Sequence, residues 1–250
     1  MLRKLVFSMC VTVMSISSVS CISMSSLQTA EILKEGEGRV LLGGGYYTSP
    51  SLNKDLKDAK DSGKVETNLD DIKIPYLEVG YRRGLSESFE LGFKYTIPGA
   101  LGIDGKYSLL NQDNFDLALG LGLGYFSIES GGSSTSQDSS NSGSGSSSTT
   151  STSDAKSKST VFDLTLPIYM SYRINDSFAL YTSPKYILRS VSSSVTENGK
   201  TTKSSGKTPM AGATVGAMIG TDKGFGIEVT YAKGIGGDFN LMQVAGAMYY

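Results

Sequence analysis

The stretch Ser88-Phe89-Glu90-Leu91-Gly92-Phe93-Lys94-Tyr95-Thr96-Ile97 decides the fold. Its odd positions are all large and apolar, and its even positions are small, polar or charged. Successive side chains of a β-strand point to opposite faces, so this is a strand with one greasy face and one polar face. The stretch that follows sets Leu101, Ile103, Tyr107 and Leu109 against Gly102, Asp104, Lys106 and Ser108. Further on, Phe115, Leu117, Leu119, Leu121, Leu123 and Tyr125 oppose Asp116, Ala118, Gly120, Gly122 and Gly124. Upstream, residues 74–83 alternate Leu77, Val79 and Tyr81 with Glu78, Gly80 and Arg82.

A soluble barrel packs its large apolar groups inside and turns polar ones to water. Here the second face carries glycines, which cannot fill a core, and charges of both signs. The fold class is therefore all-β, a transmembrane antiparallel up-and-down β-barrel with its apolar face to lipid and its small and charged face to the lumen. Apart from helices, closed sets of strands are the only structures that cross lipid with every backbone group paired. Similar patterning marks residues 39–48, 160–173, 177–190, 209–220, 225–233 and 238–250, for about ten strands in all. Pro167 and Pro184 each remove a ladder donor from their strands.

The charges this assignment turns inward are Glu78, Arg82, Glu90, Lys94, Asp104, Lys106, Asp116, Asp163, Arg173, Lys185, Arg189 and Glu228. Their signs interleave, which suits ion pairs in a narrow interior better than the single-sign ring of a selective pore. Leu119 is read as facing the middle of the lipid, and Gly120 as facing a lumen of ions and water where serine is tolerated. Gly43-Gly44-Gly45 has no helix or Lys-Ser/Thr pair after it, so it reads as strand glycine rather than a phosphate cradle.

Ahead of the barrel, Arg3 and Lys4 precede an apolar run too short to span a bilayer, a signal peptide over residues 1–20. Ser18-Val19-Ser20-Cys21 resembles the lipobox of bacterial lipoproteins, although Ser18 stands where that pattern prefers an aliphatic residue. The resemblance implies lipidation of Cys21 as the mature N-terminus. Ordinary cleavage beside the small residues is the alternative. Residues 21–37 read as a tether with a short helix around 26–34, and residues 38–250 as the barrel domain. Cys10 leaves with the signal, so one mature chain holds neither a disulfide framework nor a cysteine metal site. No cofactor motif is present. A net charge of −1 with acids and bases interspersed gives no surface for nucleic acid.

The links sort by length. Residues 84–87, 111–114, 174–176 and 221–224 are short and follow even strands; 49–73, 130–159 and 191–207 are long and follow odd ones. Short periplasmic turns and long external loops are the pattern of bacterial outer-membrane barrels, which puts both termini in the periplasm. Residues 130–159 are nearly all Ser, Thr and Gly, a composition that predicts a disordered loop. Asn198-Gly199 marks a hairpin tip. Phe89, Phe115, Phe178 and Phe225 follow the short turns, and Tyr81, Tyr107 and Tyr172 precede three of them, as one aromatic girdle; Tyr125 and Tyr231 belong to the other. From Phe115 to Tyr125 is about 33 Å along a strand, or roughly 25 Å upright at a tilt of about 40°, the height of the apolar band.

The closing residues Gln243-Val244-Ala245-Gly246-Ala247-Met248-Tyr249-Tyr250 resemble the C-terminal β-signal of outer-membrane proteins, with Tyr250 terminal and Met248 two before it. This implies two partners, outer-membrane lipid and the assembly machinery that reads the strand ending at Tyr250. Residues 39–250 as a whole resemble small bacterial outer-membrane β-barrel proteins. Enzymes of that kind (omptin proteases, phospholipases, lipid A deacylases and palmitoyltransferases) use a histidine for acid–base work, and this chain has none. A Ser–Lys or paired-carboxylate site, for instance around Asp163 and Lys185, is not favoured by any spacing. The expectation is a non-enzymatic barrel with a structural or surface-interaction role, its external ligand unnamed by the sequence. The alternatives are a narrow channel or transporter for small or lipidic cargo, and a soluble periplasmic β-barrel lipoprotein that binds an apolar ligand.

Overall fold

The computed structural model describes residues 23–51, 53, 73–97, 99–135, 152–197, 200–220, 223–237 and 239–250. The signal peptide, Cys21, residues 136–151 and the tip at 198–199 lie outside them. Ten strands follow in order: β1 Gly38–Thr48, β2 Lys73–Ser86, β3 Phe89–Ile97, β4 Ala100–Asn111, β5 Phe115–Thr135, β6 Thr152–Asn175, β7 Phe178–Glu197, β8 Lys200–Ile219, β9 Gly224–Gly234 and β10 Asn240–Tyr249. Each pairs antiparallel with its chain neighbours, and β1 pairs with β10, so the sheet closes into a barrel. Val40 and Tyr250 exchange backbone hydrogen bonds of 2.8 and 3.0 Å at the end of that seam.

Parity decides which way each side chain points. Leu121 and Phe93 keep 52% and 51% of their surface on the outside. Leu77, Val79, Leu101, Ile103, Leu119, Leu123, Ile168, Val215, Ile227 and Val229 share that outer face. An apolar surface encircling the molecule is far larger than water tolerates on a monomer. It is the lipid face of a transmembrane barrel. The outer aromatics fit against glycines: Phe89 covers Gly105, where a β-carbon would stand 3.1 Å from the ring, and Tyr81 covers Gly38.

Four strands outrun the rest. β5 to β8 are 21, 24, 20 and 20 residues long, and their ladders continue past Tyr125 opposite Phe162 to Thr135 opposite Thr152 and Glu197 opposite Lys200. The disordered loop expected over 130–159 is therefore paired strand at 130–135 and 152–159, and the loop expected over 191–207 is a hairpin. Ser, Thr and Gly bury little, but a backbone already in register on a rigid barrel gains ladder hydrogen bonds at every step.

The helix expected around residues 26–34 of the tether is not formed. Residues 23–34 run through the barrel interior without regular secondary structure. At the short-turn end Glu35 bridges to Gly84, and the Gly36 amide donates to the Gly84 carbonyl at 2.9 Å. At the other end Ser23 accepts from Gln243, which sits opposite Tyr47 near the top of β1. The described chain thus begins at the long-loop end and finishes, at Tyr250, at the short-turn end.

Candidate functional site

The site is the lumen. Glu78, Glu90, Lys106, Asp116, Asp163, Lys185, Arg189 and Glu228 are buried there, while Arg82, Lys94, Asp104 and Arg173 are partly open on the same inner face. Strand register makes the pairs. Glu90 lies opposite Lys106, with Nζ to Oε1 at 3.0 Å, and Asp163 lies opposite Arg189, joined through two nitrogens at 2.8 and 2.5 Å. Gly92 lies between Arg82 and Asp104, and a β-carbon there would meet both, at 2.6 and 2.8 Å. The missing side chain lets Arg82 reach Asp104 at 2.7 Å and Glu90 at 2.7 Å. Lys94 faces Glu78 at 3.6 Å, and Arg173 faces Asp116 at 3.6 Å. A buried charge is tolerated only when paired and hydrogen-bonded, which this network achieves in part.

The rest of the pairing comes from residues 23–34. Lys94 donates to the carbonyls of Ser23 and Ser25 at 3.4 and 2.8 Å, Lys185 to that of Met24 at 2.8 Å, and Lys106 to those of Thr29 and Glu31 at 2.8 and 2.7 Å. Tyr249 donates its hydroxyl to the Leu27 carbonyl at 2.7 Å. In the opposite sense, the Ser26 and Leu27 amides both donate to Glu228, at 2.9 and 2.7 Å, and the Leu33 amide donates to Glu90 at 2.9 Å. The Ala30 amide reaches Ser171 at 3.1 Å and the Met24 amide reaches Gln243 at 2.9 Å. Leu27 has a φ of 42°, a conformation that costs a branched side chain on the order of 1–3 kcal/mol. It turns two successive amides onto one carboxylate, a nest for negative charge.

Apolar anchors alternate with these bonds. Leu27 is fully buried among Leu41, Tyr181, Met218, Ala247 and Tyr249. Met24 packs with Ile187, Met210, Ala232 and Leu241, and Ala30 with Ala118 and Tyr169. A cavity of about 90 Å³ remains beside the thread, along the glycine-rich wall of Gly102, Gly122 and Gly124, with room for water. Among the described residues no cluster of His, Cys, Asp and Glu is arranged to hold a metal.

The outward aromatics Tyr81, Tyr107, Tyr125, Tyr172, Phe225 and Tyr231 lie exposed on the barrel surface, whereas Phe89, Phe115 and Phe178 are half-buried against adjacent strands. The sequence reading missed the neutral wall groups Tyr169, Ser171, Tyr181, Gln243 and Tyr249. Each occupies an inward position of its alternating strand, so parity alone marks them; what parity lacks is the partner.

No protein-family model matches the chain, and no curated protein matches it. Solved structures do. The outer membrane protease OmpT from Escherichia coli is similar at 12% identity, covering 90% of this chain and 98% of that one with a TM-score of 0.44. Neisserial surface protein A is similar at 9% identity over 85% of this chain and 95% of that one, with a TM-score of 0.36. Ail, the attachment invasion locus protein of Yersinia pestis, is similar at 12% identity over 86% and 99%, with a TM-score of 0.35. The closed ring of ten strands, its apolar outer belt and its polar interior give this chain the fold of a small bacterial outer-membrane β-barrel.

Proposed function

We propose that the protein is a closed outer-membrane barrel that carries no flux, and that it acts by surface interaction through the extension of β5 to β8. The observation that supports this is the thread, which occupies the lumen beside a cavity of about 90 Å³ and bonds Lys94, Lys106, Lys185, Glu90 and Glu228 of its wall. An open hydrophilic passage would leave those groups to water and the apolar anchors without pockets. The extension stands above the band on the long-loop side, which in this reading faces the cell exterior, and the role needs no catalysis. The strand ending at Tyr250 completes the seam, and in this proposal it is the element that the assembly machinery reads.

Conductance across planar bilayers tests the reading. The full chain is expected to give no ion steps, whereas a variant lacking residues 23–34 conducts. Steady conductance by the full chain would favour the channel alternative instead.

A further inference from the structure

We infer that the lumen is a binding site for an extended peptide, with residues 23–34 as its resident ligand in cis, and that it accepts a separate peptide of the same chemistry. The inference rests on the closed-lumen reading and extends it, since it treats the thread as a ligand rather than as part of the barrel fold.

Three observations carry it. First, the wall addresses main chain. Lys94, Lys106 and Lys185 bind carbonyls, and Glu228 and Glu90 bind amides, groups that every peptide offers. Second, the thread shares no strand ladder with the wall, so its hold lies in discrete side-chain contacts and not in continuation of the sheet. Third, Met24, Leu27, Ala30 and Leu33 are all buried, one at every third position, with small or polar residues between most of them. The ligand class is thus an extended peptide with an apolar side chain at every third residue and no charge over its first eight residues, 23–30. The thread joins the barrel through Lys34, Glu35 and Gly36, all exposed at the short-turn end, so a cut there leaves every strand's chain whole, with the Glu35 and Gly36 contacts to Gly84 of β2 at the site of the cut.

The test places a protease site at residues 34–36 of the full chain, folds the barrel, cleaves it, and adds a fluorescent peptide of residues 23–34. A barrel expressed without residues 23–34 serves as a second sample that holds no resident peptide. Saturable binding, displaced by unlabelled peptide, is expected in both. N-methylation of the Leu27 amide removes its donation to Glu228, and is expected to weaken binding by at least about tenfold. Glu31→Gln removes an ion pair with Arg173 at 3.2 Å that is open to solvent on both sides, and should stay within about threefold. Exclusion of the peptide by barrels that keep their heat-modifiable gel mobility overturns the inference, as does equal binding of the N-methylated peptide. Conductance of the uncut chain separates the two readings. A leaky uncut barrel removes the closed lumen, whereas a tight one that refuses the peptide removes only the binding site.

Discussion

At Gly120 a β-carbon would stand 2.7 Å from both Pro167 Cγ and Tyr169 Cε2, well inside contact distance. At Gly122, two residues on and on the same inner face, the nearest atoms are Asp104 Cβ at 3.5 Å and Thr165 Cβ at 3.7 Å. The expectation that serine is tolerated at Gly120 therefore moves to Gly122. Gly120→Ser forces the proline ring or the tyrosine aside and is expected to cost roughly 1–3 kcal/mol. Gly122→Ser is expected to be neutral within about 0.5 kcal/mol. Urea unfolding of the two variants in lipid vesicles, compared by midpoint at equal slope, distinguishes them. The two glycines share a strand, a face and similar neighbours in sequence, and only the packing of β6 behind them tells them apart.

The strands and the extension obey different rules. In the band, alternation of large apolar and small polar residues sets both strand and facing, so β2 to β6 could be traced from residues such as Phe93 and Lys94 alone. The extension has no such alternation. Ser and Thr dominate it, and its strands persist because β6 and β7 lie between hydrogen-bonded neighbours, a tertiary cause invisible to local composition. The thread departs from the helix read around residues 26–34 in another way: Met24, Leu27 and Ala30 sit in three separate clusters of the wall. Parity could place a charge on the inner face, but not say that a backbone would answer it. At the level where the extension leaves the barrel, Ala100, Phe126 and Val161 form a small core with Val191 packed on it. Below this core the sheet is a ring; above it the ladders support only themselves. Removing residues 129–158 and 193–204 and closing each gap with a short turn is expected to leave the barrel assembled. Heat-modifiable gel mobility checks this, and loss of the compact form would mean that the extension props up the ring.

For the whole molecule, the seam between β1 and β10 joins the start of the sheet to its end, so the last strand made is the one that completes the ring. The residues just before β1 lie inside that ring, bonded to β2, β3, β4, β6, β7, β9 and β10. An empty ring would hold Lys106, Lys185 and Glu228 buried without their peptide partners, an unfavourable intermediate. In the intact chain the thread is therefore expected to lie in place as the seam shuts, a mandrel around which the sheet rolls, whereas a ring closed without it stays open at its mouths to a separate peptide. Whatever is attached ahead of Ser23 is then left at the long-loop mouth. With the long-loop side facing the exterior, as proposed, a small disulfide-closed domain fused ahead of Ser23 should therefore assemble and be open to antibody on intact cells. Were the thread drawn in after closure, the same domain would jam at the short-turn mouth, stay hidden from antibody and leave a conducting barrel.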